Sequence, residues 1–389
     1  MITVDEALEK LLALVAPLEV EEVPLRAAAG RTLARPVAAR RDQPPFSASA
    51  MDGYAIAGEA APGACFEVIG EAAAGHGYAG SVGPGQALRI FTGAPMPAGA
   101  TRVVIQEDTT RAGDRITLTE GPGQGAHVRP MGADFRLGDR LEAPRLLAPS
   151  DVALLAAMNI AAVPVTRRPE VAIIATGDEL VQPGEDPGPD QIIASNSYGL
   201  AALVEALGAK ARLLPIARDT RASLQTVFDM AEGADLILTI GGASVGDHDL
   251  VGPALADRGM DRAFYKVAMR PGKPLMAGRL DAAALIGLPG NPVSAMVCGH
   301  VFVAPVIRAM LGQRDVVAMP QPRPLAAALP ANGPRQHYLR ARTTDRGVAA
   351  FDTQDSSLLS VLSEADCLIV QPPGDPGRPA GASVPVLPL

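Results

Sequence analysis

The run of residues 235–249, DLILTIGGASVGDHD, constrains the fold more than any other part of the chain. It begins as a short apolar segment, which is typical of a strand buried on both faces of a sheet. It then enters glycines, a serine and aspartates, where backbone N–H groups can approach a ligand without an intervening Cβ. Ligands bind at the carboxyl ends of strands in open α/β sheets. The run therefore predicts a ligand site at Gly241, Gly242, Ser244 and Gly246, with a loop of solvated acids as the alternative.

Three further segments place polar chemistry at predicted strand ends. Residues 266–274 carry the cations Lys266, Arg270 and Lys273 around a Pro-Gly turn. In the segment LPGNPVS, residues 288–294, a strand end precedes a helix start, with Asn291 as the N-cap and Pro292 at the first helical position. Residues 173–180 form a strand that ends in TGDEL. Two cationic and two acidic strand ends together predict a phosphorylated ligand with a divalent metal.

The four segments together resemble a known family. The patterns GGxSxGxxD, KxxxRPGKP, GLPGNPVS and TGDEL are similar to those of the molybdopterin-binding domain. That domain is shared by the molybdenum insertases and the smaller molybdopterin adenylyltransferases. The resemblance implies a doubly wound α/β domain, and the rest of the chain decides between the two classes.

Composition limits the other possibilities. The 389 residues are too many for one ordinary core, and 48% hydrophobic with 20% charged residues indicates a globular chain. A net charge of −8, no tryptophan and 3% aromatic residues argue against nucleic-acid binding. Cys65, Cys298 and Cys367 give no disulfide framework, and we expect all three to be buried.

The apolar segment 292–311 and the amino terminus bear on location. The segment contains His300, Pro305 and Arg308, which favours a helix packed on a sheet over a membrane span. The amino-terminal residues lack the basic-then-apolar pattern of a secretion signal. We expect a cytoplasmic protein that does not bind a membrane.

Residues 42–131 read as a small β domain inserted into an elongated linker domain, 1–41 and 132–167. Helices are predicted over 3–17 and 150–158, with Thr3 and Ser150 as N-caps. The segments SAMDGY, RIFTGAPMP and VRPMGAD resemble insertase signatures, which implies that Asp52, Thr92 and Asp134 are site residues. The adenylyltransferases lack this inserted domain, so its presence favours an insertase.

Residues 168–319 alternate strand and helix, as a doubly wound α/β domain does. Strands are predicted at 171–175, 212–217, 235–240, 264–269, 274–277 and 284–288. Helices are predicted at 197–207, 221–232 and 293–311. Asp219 matches an acidic family position that faces the site; the alternative is an N-cap for the helix at Arg221.

Residues 320–389 predict a second small β domain. Its segments Tyr338-Leu339-Arg340 and 354–358 resemble the carboxyl-terminal domain of the insertases. The chain departs from the family pattern at two positions. Asp355 replaces the usual glycine before Ser356, which bears on the geometry of that loop, and Arg270 replaces a frequent lysine with a planar cation.

The resemblance covers the whole chain and implies a multidomain α/β and β molybdenum insertase. Such an enzyme inserts molybdate into adenylylated molybdopterin, releases AMP and needs Mg²⁺. The implied catalytic residues are Asp52, Thr92, Asp134, Glu179, Asp249 and Lys266. The implied substrate-binding residues are Gly241, Gly242, Ser244, Gly246, Arg270, Lys273, Pro289, Asn291, Pro292, Ser294, Arg340 and Ser356. Asp249, with Asp219 or Glu179, would hold the metal.

The resemblance also implies a homodimer with sites between its subunits, and contacts with other molybdenum-cofactor biosynthesis proteins. Three alternatives remain at this point: a tungsten-preferring insertase, a molybdopterin adenylyltransferase and a non-catalytic dimeric scaffold. The two extra β domains argue against the adenylyltransferase. The acids at Asp52, Glu179 and Asp249 argue against the scaffold.

Overall fold

The computed structural model describes residues 1–121, 125–242 and 250–389. The chain begins with helix α1 (Val4–Leu12), in which Thr3 and Glu6 form the predicted capping box. The next elements are the strands β1 (Val20–Pro24), β2 (Thr32–Leu33) and β3 (Val37–Ala38), with a 3₁₀ turn at Leu25–Ala27. Helix α1 packs into the core of the α/β domain through Val4, Ala7 and Leu11.

The inserted β domain follows. Its strands are β4 (Ala48–Ser49), β5 (Gly53–Ile56), β6 (Cys65–Ala72), β7 (Gln86–Ile90), β8 (Arg102–Ile105), β9 (Thr109–Ala112), β10 (Arg115–Leu118) and β11 (Val128–Arg129), with a 3₁₀ turn at Gln106–Asp108. The described residues form a sheet in the order β8-β5-β7-β6-β10-β9, and β11 pairs with β4. Cys65 is exposed at the start of β6, so the prediction that all three cysteines are buried is wrong there; Cys298 and Cys367 are buried.

The chain then returns to the linker region. Its elements are β12 (Arg140–Leu141), β13 (Arg145–Leu146), α2 (Pro149–Ala157) and β14 (Ala162–Thr166). Strands from both halves pair, in the order β1-β14-β2-β13, around a core that includes Leu33, Leu155 and Val163. Ser150 is not the N-cap of α2: the helix begins one residue earlier, and the Asp151 carboxylate accepts from the Ala148 N–H.

The α/β domain carries most of the secondary structure. Its elements are β15 (Glu170–Ala175), β16 (Leu180–Val181), β17 (Ile192–Ile193), α3 (Asn196–Ala206), β18 (Lys210–Leu213), α4 (Arg221–Met230), β19 (Leu236–Ile240), α5 (Val251–Asp257), β20 (Asp261–Tyr265), β21 (Met269–Arg270), β22 (Met276–Leu280), β23 (Ala283–Leu288), α6 (Pro292–Cys298), a π-helical turn Gly299–Val303 and α7 (Ala304–Met310). The described residues form a sheet in the order β18-β15-β19-β23-β22-β20.

Helices cover both faces of this sheet. The first four strands are parallel, and β22 and β20 are antiparallel additions at one edge. Along β15, Val171 and Ile173 pack towards α1, α3 and α6–α7, while Ala172 and Ile174 pack towards α4 and α5. This is the doubly wound arrangement that the sequence predicts, because alternate residues of a buried strand face opposite layers.

Several boundaries differ from the sequence prediction. The strand predicted at 212–217 lies at Lys210–Leu213. The strand predicted at 264–269 is divided: β20 joins the α/β sheet, whereas β21 pairs with the carboxyl-terminal domain. Helix α5 was not predicted from the sequence. Within the described residues, one helix, Pro292–Met310, is long and apolar enough to cross a membrane, and most of it is buried in the α/β core.

The carboxyl-terminal domain is a small sheet packed on the α/β domain. Its elements are β24 (Gln321–Pro324), β25 (Gln336–Thr344), β26 (Gly347–Ala350), α8 (Leu359–Ser363), β27 (Cys367–Gln371) and β28 (Ser383–Pro388). The described residues pair in the order β21-β25-β27-β28-β24, with β26 on β25. Tyr338, Leu368 and Val370 join the core of the α/β domain, whereas Leu339 and Ile369 form a core on the opposite face.

Candidate active site

The carboxyl ends of β15, β19 and β23 meet at one edge of the α/β sheet. Each strand enters a glycine turn, at Gly177, Gly241 and Gly290 respectively. At Gly241 φ is +90°, and a Cβ there would lie 2.9 Å from the Thr176 carbonyl oxygen. A Cβ at Gly290 would lie 3.7 Å from the Gly241 Cα. The glycines thus permit these turns to approach one another closely, and the predicted approach of their backbone to a ligand stays a prediction.

A cavity of about 460 Å³ lies between these turns. Four predicted site residues line it: Glu179, Gly241, Asn291 and Pro292. The polar residues that line it without having been predicted are Thr176, Ser195, Asn196, Ser197 and Ser357. The Asn196 Nδ2 donates to the Gly290 carbonyl oxygen at 2.7 Å. Three of these residues form the polar run SNS, residues 195–197, at the start of α3, and that run could have indicated them from the sequence.

The remaining predicted residues of this edge fall into two groups. Gly242 follows Gly241 directly, Pro289 is buried at the end of β23, and Ser294 is 4% exposed in the first turn of α6. Ser244, Gly246 and Asp249 lie outside the described residues, so their predicted roles stay predictions.

Asn291 connects the start of α6 to the carboxyl-terminal domain. It occupies the N-cap position, but its side chain does not cap the helix. Instead its Nδ2 donates to the Ser356 Oγ at 2.8 Å. The Val293 N–H donates to the Ser356 carbonyl oxygen at 3.0 Å. The loop that carries Ser356 therefore rests on the first turn of α6 and uses one of its free N–H groups.

Arg340 is buried in the carboxyl-terminal domain, with 1% of its surface exposed. Its Nη1 donates to the Leu358 carbonyl oxygen at 3.3 Å. The Gln354 Oε1 accepts from the Arg340 backbone N–H at 3.0 Å and from its Nε at 3.3 Å. Arg340 therefore holds both ends of the Ser356 loop. A direct contact of Arg340 with an anion stays a prediction.

Asp355 fits the loop in which the family usually has glycine. Its Oδ1 accepts from the Ser357 N–H at 2.8 Å and from the Ser357 Oγ at 2.7 Å, and these bonds lower the pKa of the carboxyl. Among the described residues, positive φ outside glycine occurs only at His127, Asn159, Lys266 and Asp281. Asp355 thus needs no left-handed backbone and closes the turn with its own side chain.

Cationic side chains gather where β21 joins β25. Arg270 pairs in register with His337. Burial, followed by the charges of Arg270, Arg335 and Arg340, lowers the pKa of His337 to about 4. His337 is therefore neutral at pH 7 and lies among three guanidinium groups. Arg335 was missed from the sequence because it follows the turn-rich run PANGP, which carries no motif.

The two predicted lysines of this segment are accessible. The Lys266 Nζ lies 5.1 Å from the centroid of the Tyr265 ring. Lys273 is exposed, and its backbone carbonyl accepts from the Val267 N–H and the Leu275 N–H, both at 3.1 Å. The backbone of the RPGKP turn is thus fixed while its lysine side chain remains free to meet an anion.

Asp52, Thr92 and Asp134 lie in the amino-terminal half. The Asp52 Oδ1 accepts from the Thr92 N–H and from the Thr92 Oγ1, both at 2.8 Å, and these bonds lower the pKa of Asp52. Asp134 is exposed, and its N–H donates to the Gln43 carbonyl oxygen at 2.9 Å. None of the three contributes to the cavity described above.

The acids at the sheet edge are held by backbone contacts. Asp219 is exposed, and its N–H donates to the Asp178 Oδ1 at 3.1 Å. Asp219 is not the cap of α4, because the Thr220 side chain accepts from the Ser223 N–H. Over residues 1–121, 125–242 and 250–389, no group of three or more His, Cys, Asp or Glu is placed to hold a metal ion. The predicted ligand Asp249 falls outside those ranges.

Three sequence profiles match the chain. The MoeA N-terminal region (domains I and II) matches residues 2–159, the probable molybdopterin binding domain matches 172–309, and the MoeA C-terminal region (domain IV) matches 322–389. Together they cover the amino-terminal half, the α/β domain and the carboxyl-terminal sheet.

Named relatives agree with these profiles. The molybdopterin molybdenumtransferase of Nostoc sp. is 42% identical over 76% of this chain and 70% of its own length. That of Haemophilus influenzae is 34% identical over 95% of this chain and 94% of its own. The molybdopterin biosynthesis MoeA protein of Pyrococcus horikoshii OT3 superposes with a TM-score of 0.87 at 28% identity, with 100% of both chains covered. The multidomain fold predicted from the sequence is confirmed.

Proposed function

This chain belongs to the molybdopterin molybdenumtransferase (MoeA) family of enzymes, which insert molybdenum during molybdenum cofactor biosynthesis, and we propose that its substrates are adenylylated molybdopterin and molybdate, with release of AMP. Adenylylated molybdopterin is a polyanion, and molybdate is a second anion. Bringing the two together requires fixed cations and hydrogen-bond donors, because their mutual repulsion opposes the encounter.

The observation that carries this proposal is the Ser356 loop. The middle of the loop, at Ser356, contacts Asn291 at the cavity of the α/β domain. Both ends of the loop are held by Arg340, which lies with Arg270 in the cationic cluster around His337. The loop therefore joins a cavity suited to the pterin substrate to a group of cations suited to an oxyanion. In this scheme six residues attract and orient molybdate: Lys266, Arg270, Lys273, Ser294, Arg340 and Ser356.

The acids of the sheet edge supply the opposite charge. Mg²⁺ takes one or two protein carboxylates and completes its shell with water and substrate phosphates. Glu179, exposed at the cavity, and Asp219, on a turn tied to Asp178, fit such a donor set, and Asp249 would complete it. When bound, Mg²⁺ would offset the charge of the anhydride that is cleaved.

We further propose a cytoplasmic homodimer. Asp52, Thr92 and Asp134 belong to the proposed site but lie outside the cavity of their own α/β domain. A partner subunit would bring its Asp52 region to this cavity. Other proteins of molybdenum cofactor biosynthesis would supply the substrate and receive the product.

The test is a turnover measurement with the purified protein. Adenylylated molybdopterin, Mg²⁺ and either molybdate or tungstate are mixed with it, and AMP is followed by chromatography. Release of AMP that depends on molybdate supports the proposal. Release with tungstate alone would instead identify a tungsten-preferring insertase, and no release with either oxyanion would favour the scaffold.

A further inference from the structure

The turn between β15 and β16 carries Glu179 in an unusual position. Gly177 has φ of +146°, and a Cβ built on it would lie 2.3 Å from the Glu179 Oε2 and 2.7 Å from the Oε1. The carboxylate therefore folds back over its own turn while it remains exposed at the cavity. An exposed glutamate can adopt several rotamers, so the direction of the Glu179 carboxylate also depends on how firmly its backbone is held.

Arg218 lies against that backbone. Its Nη1 donates to the carbonyl oxygens of Asp178 at 3.0 Å and Leu180 at 3.1 Å, with a weaker contact to that of Gly177 at 3.4 Å. The remaining carbonyl of the turn, that of Glu179, accepts from the Ile192 N–H at 2.7 Å. Every carbonyl oxygen from residue 177 to residue 180 thus has a donor, and three of the four depend on one guanidinium group.

Two neighbouring contacts fix the turn to the same segment. The Gly177 N–H donates to the Ala217 carbonyl oxygen at 3.1 Å, and the Asp219 N–H donates to the Asp178 carboxylate at 3.1 Å. Residues 217–219 therefore contact the turn through a backbone carbonyl, a side-chain cation and a backbone amide. The cation also offsets the negative charge of Asp178, Glu179 and Asp219, which would otherwise repel one another.

We propose that Arg218 is a positioning residue that aims the Glu179 carboxylate into the cavity. This inference deepens the proposed function and rests on it, because Glu179 matters only if the anhydride is cleaved here. Substrate phosphates would push an unsupported carboxylate away. A guanidinium that fixes the turn beforehand removes that freedom before the substrate binds.

The experiment compares Arg218→Met, Arg218→Lys and Arg221→Met. Methionine keeps the length of the side chain without its donors, and lysine restores three N–H donors. Arg221 is the matched control, since it lies three residues on and pairs with Asp257 at 3.0 Å, away from the turn. We expect Arg218→Met to lower kcat for AMP release by about 10- to 100-fold, as misplaced catalytic groups do. Arg218→Lys should recover most of kcat, the KM for adenylylated molybdopterin should change little, and Arg221→Met should match the wild type.

A double-mutant cycle separates positioning from general stability. In a Glu179→Gln background, Arg218→Met should have little further effect, because the group that it aims is already lost. An equal loss in both backgrounds would overturn the inference.

Hydrogen exchange supplies a readout that does not depend on activity. The amides of Gly177 and Ile192 should exchange faster in Arg218→Met than in Arg218→Lys, and unchanged exchange would overturn the inference even if activity fell. A wild-type protein that releases no AMP would overturn the proposed function instead, and exchange would still decide whether Arg218 fixes the turn.

Discussion

Substitution of one side chain, Lys273, can separate two explanations of the positive charge at the RPGKP turn. Lys273 is exposed on a fixed backbone, so its ammonium group can face molybdate or the phosphates of the pterin substrate. Charge-assisted hydrogen bonds are worth about 1.5–3 kcal/mol each. Whichever anion depends on Lys273 will therefore need a higher concentration when the lysine is removed.

We predict that Lys273→Ala raises the molybdate concentration for half activity by about 10- to 100-fold, since each 1.4 kcal/mol is tenfold. The dependence on adenylylated molybdopterin should change less. Both dependences are measured on the same variant. Lys210→Ala is the control, because Lys210 is an exposed lysine paired with Glu170 at the start of β18. A raised requirement for the pterin with an unchanged one for molybdate would contradict the assignment.

Single residues of the site were predictable from the sequence where they lie in dense motifs. Glu179, Gly241, Asn291 and Pro292 were predicted, and they do line one cavity, because strand ends in dense motifs converge by topology alone. Arg218, Arg335 and Gln354 were not predicted. Arg218 donates to backbone carbonyls, Gln354 accepts from the Arg340 N–H and Nε, and Arg335 lowers the pKa of His337. These partners are brought close only by the tertiary fold. The hydrogen bond from Asn291 to Ser356 likewise joins residues 65 apart in sequence, so no local pattern could predict it.

Among the elements, the turn between β21 and β22 depends on one glycine. Gly272 has φ of +103°, and a Cβ there would lie 2.5 Å from the buried Cys298 Sγ in α6. The turn that carries Arg270 and Lys273 is therefore pressed against the helix that carries Ser294. Any larger residue would move the cations away from α6.

We predict that Gly272→Ala destabilises the α/β domain by at least about 2 kcal/mol, from backbone strain and overpacking together. Thermal unfolding measures the loss. Adding Cys298→Ala to the Gly272→Ala variant should recover the stability lost to the steric clash, but not the stability lost to the positive φ. Gly252→Ala is the control, since a Cβ there meets nothing within 4 Å. Equal stability of Gly272→Ala and the wild type would show that the turn is free to move.

Element boundaries were predicted least well where tertiary contacts override local pattern. Residues 264–269, FYKVAM, form a mostly apolar segment interrupted by Lys266, and they predict one strand, yet β20 pairs with β22 while β21 pairs with β25 of another domain. Helix α2 begins at Pro149, with Ala148 rather than Ser150 at the N-cap, and the Asp151 carboxylate accepts from the Ala148 N–H. Buried parallel strands such as β19 were predicted well, because both of their faces are apolar.

At the scale of the whole molecule, Arg167 joins the linker region to the α/β sheet. Its Nη1 and Nη2 each donate to the Asp235 carboxylate at 2.8 Å, and its Nε donates to Glu19 at 3.0 Å. Asp235 also accepts from the Glu170 N–H at 2.7 Å. Burial alone would raise the pKa of Asp235, but these hydrogen bonds outweigh it and hold the pKa below its usual value.

The lowered pKa gives the sign of the pH dependence. This contact contributes stability above the unfolded aspartate pKa of about 3.9 and loses it as pH falls through the lower folded value. We predict that Asp235→Asn costs about 1.5–3 kcal/mol at pH 7, as for hydrogen bonds to charged groups. Below pH 4 the difference from the wild type should shrink.

Thermal unfolding between about pH 3 and pH 7, a range that includes the ordinary aspartate pKa of about 3.9, measures both effects. Asp229→Asn is the control, because Asp229 forms an ion pair with Arg258 while 67% of its side chain is exposed. That pair should contribute about 1 kcal/mol or less. A constant gap between Asp235→Asn and the wild type across the pH range would contradict the assignment.

The distribution of the proposed site residues over the whole chain leads to the last prediction. Asp52 and Thr92 are bonded to each other in the inserted β domain, and Lys266 belongs to the α/β domain. If each site takes Asp52 from one subunit and Lys266 from the other, Asp52→Asn and Lys266→Ala should each be inactive alone. A mixed dimer of the two variants would contain one site with both wild-type halves and one site with neither.

We therefore predict that the two inactive variants, unfolded and refolded together in equal amounts, regain about a quarter of wild-type AMP release, because half of the dimers are mixed and each has one intact site. Each variant refolded alone is the control. Mixing Asp52→Asn with Thr92→Val should restore nothing, since both changes lie in the same half. A site built within one subunit would give no recovery in either mixture, and sedimentation showing a monomer in active solutions would exclude the shared site.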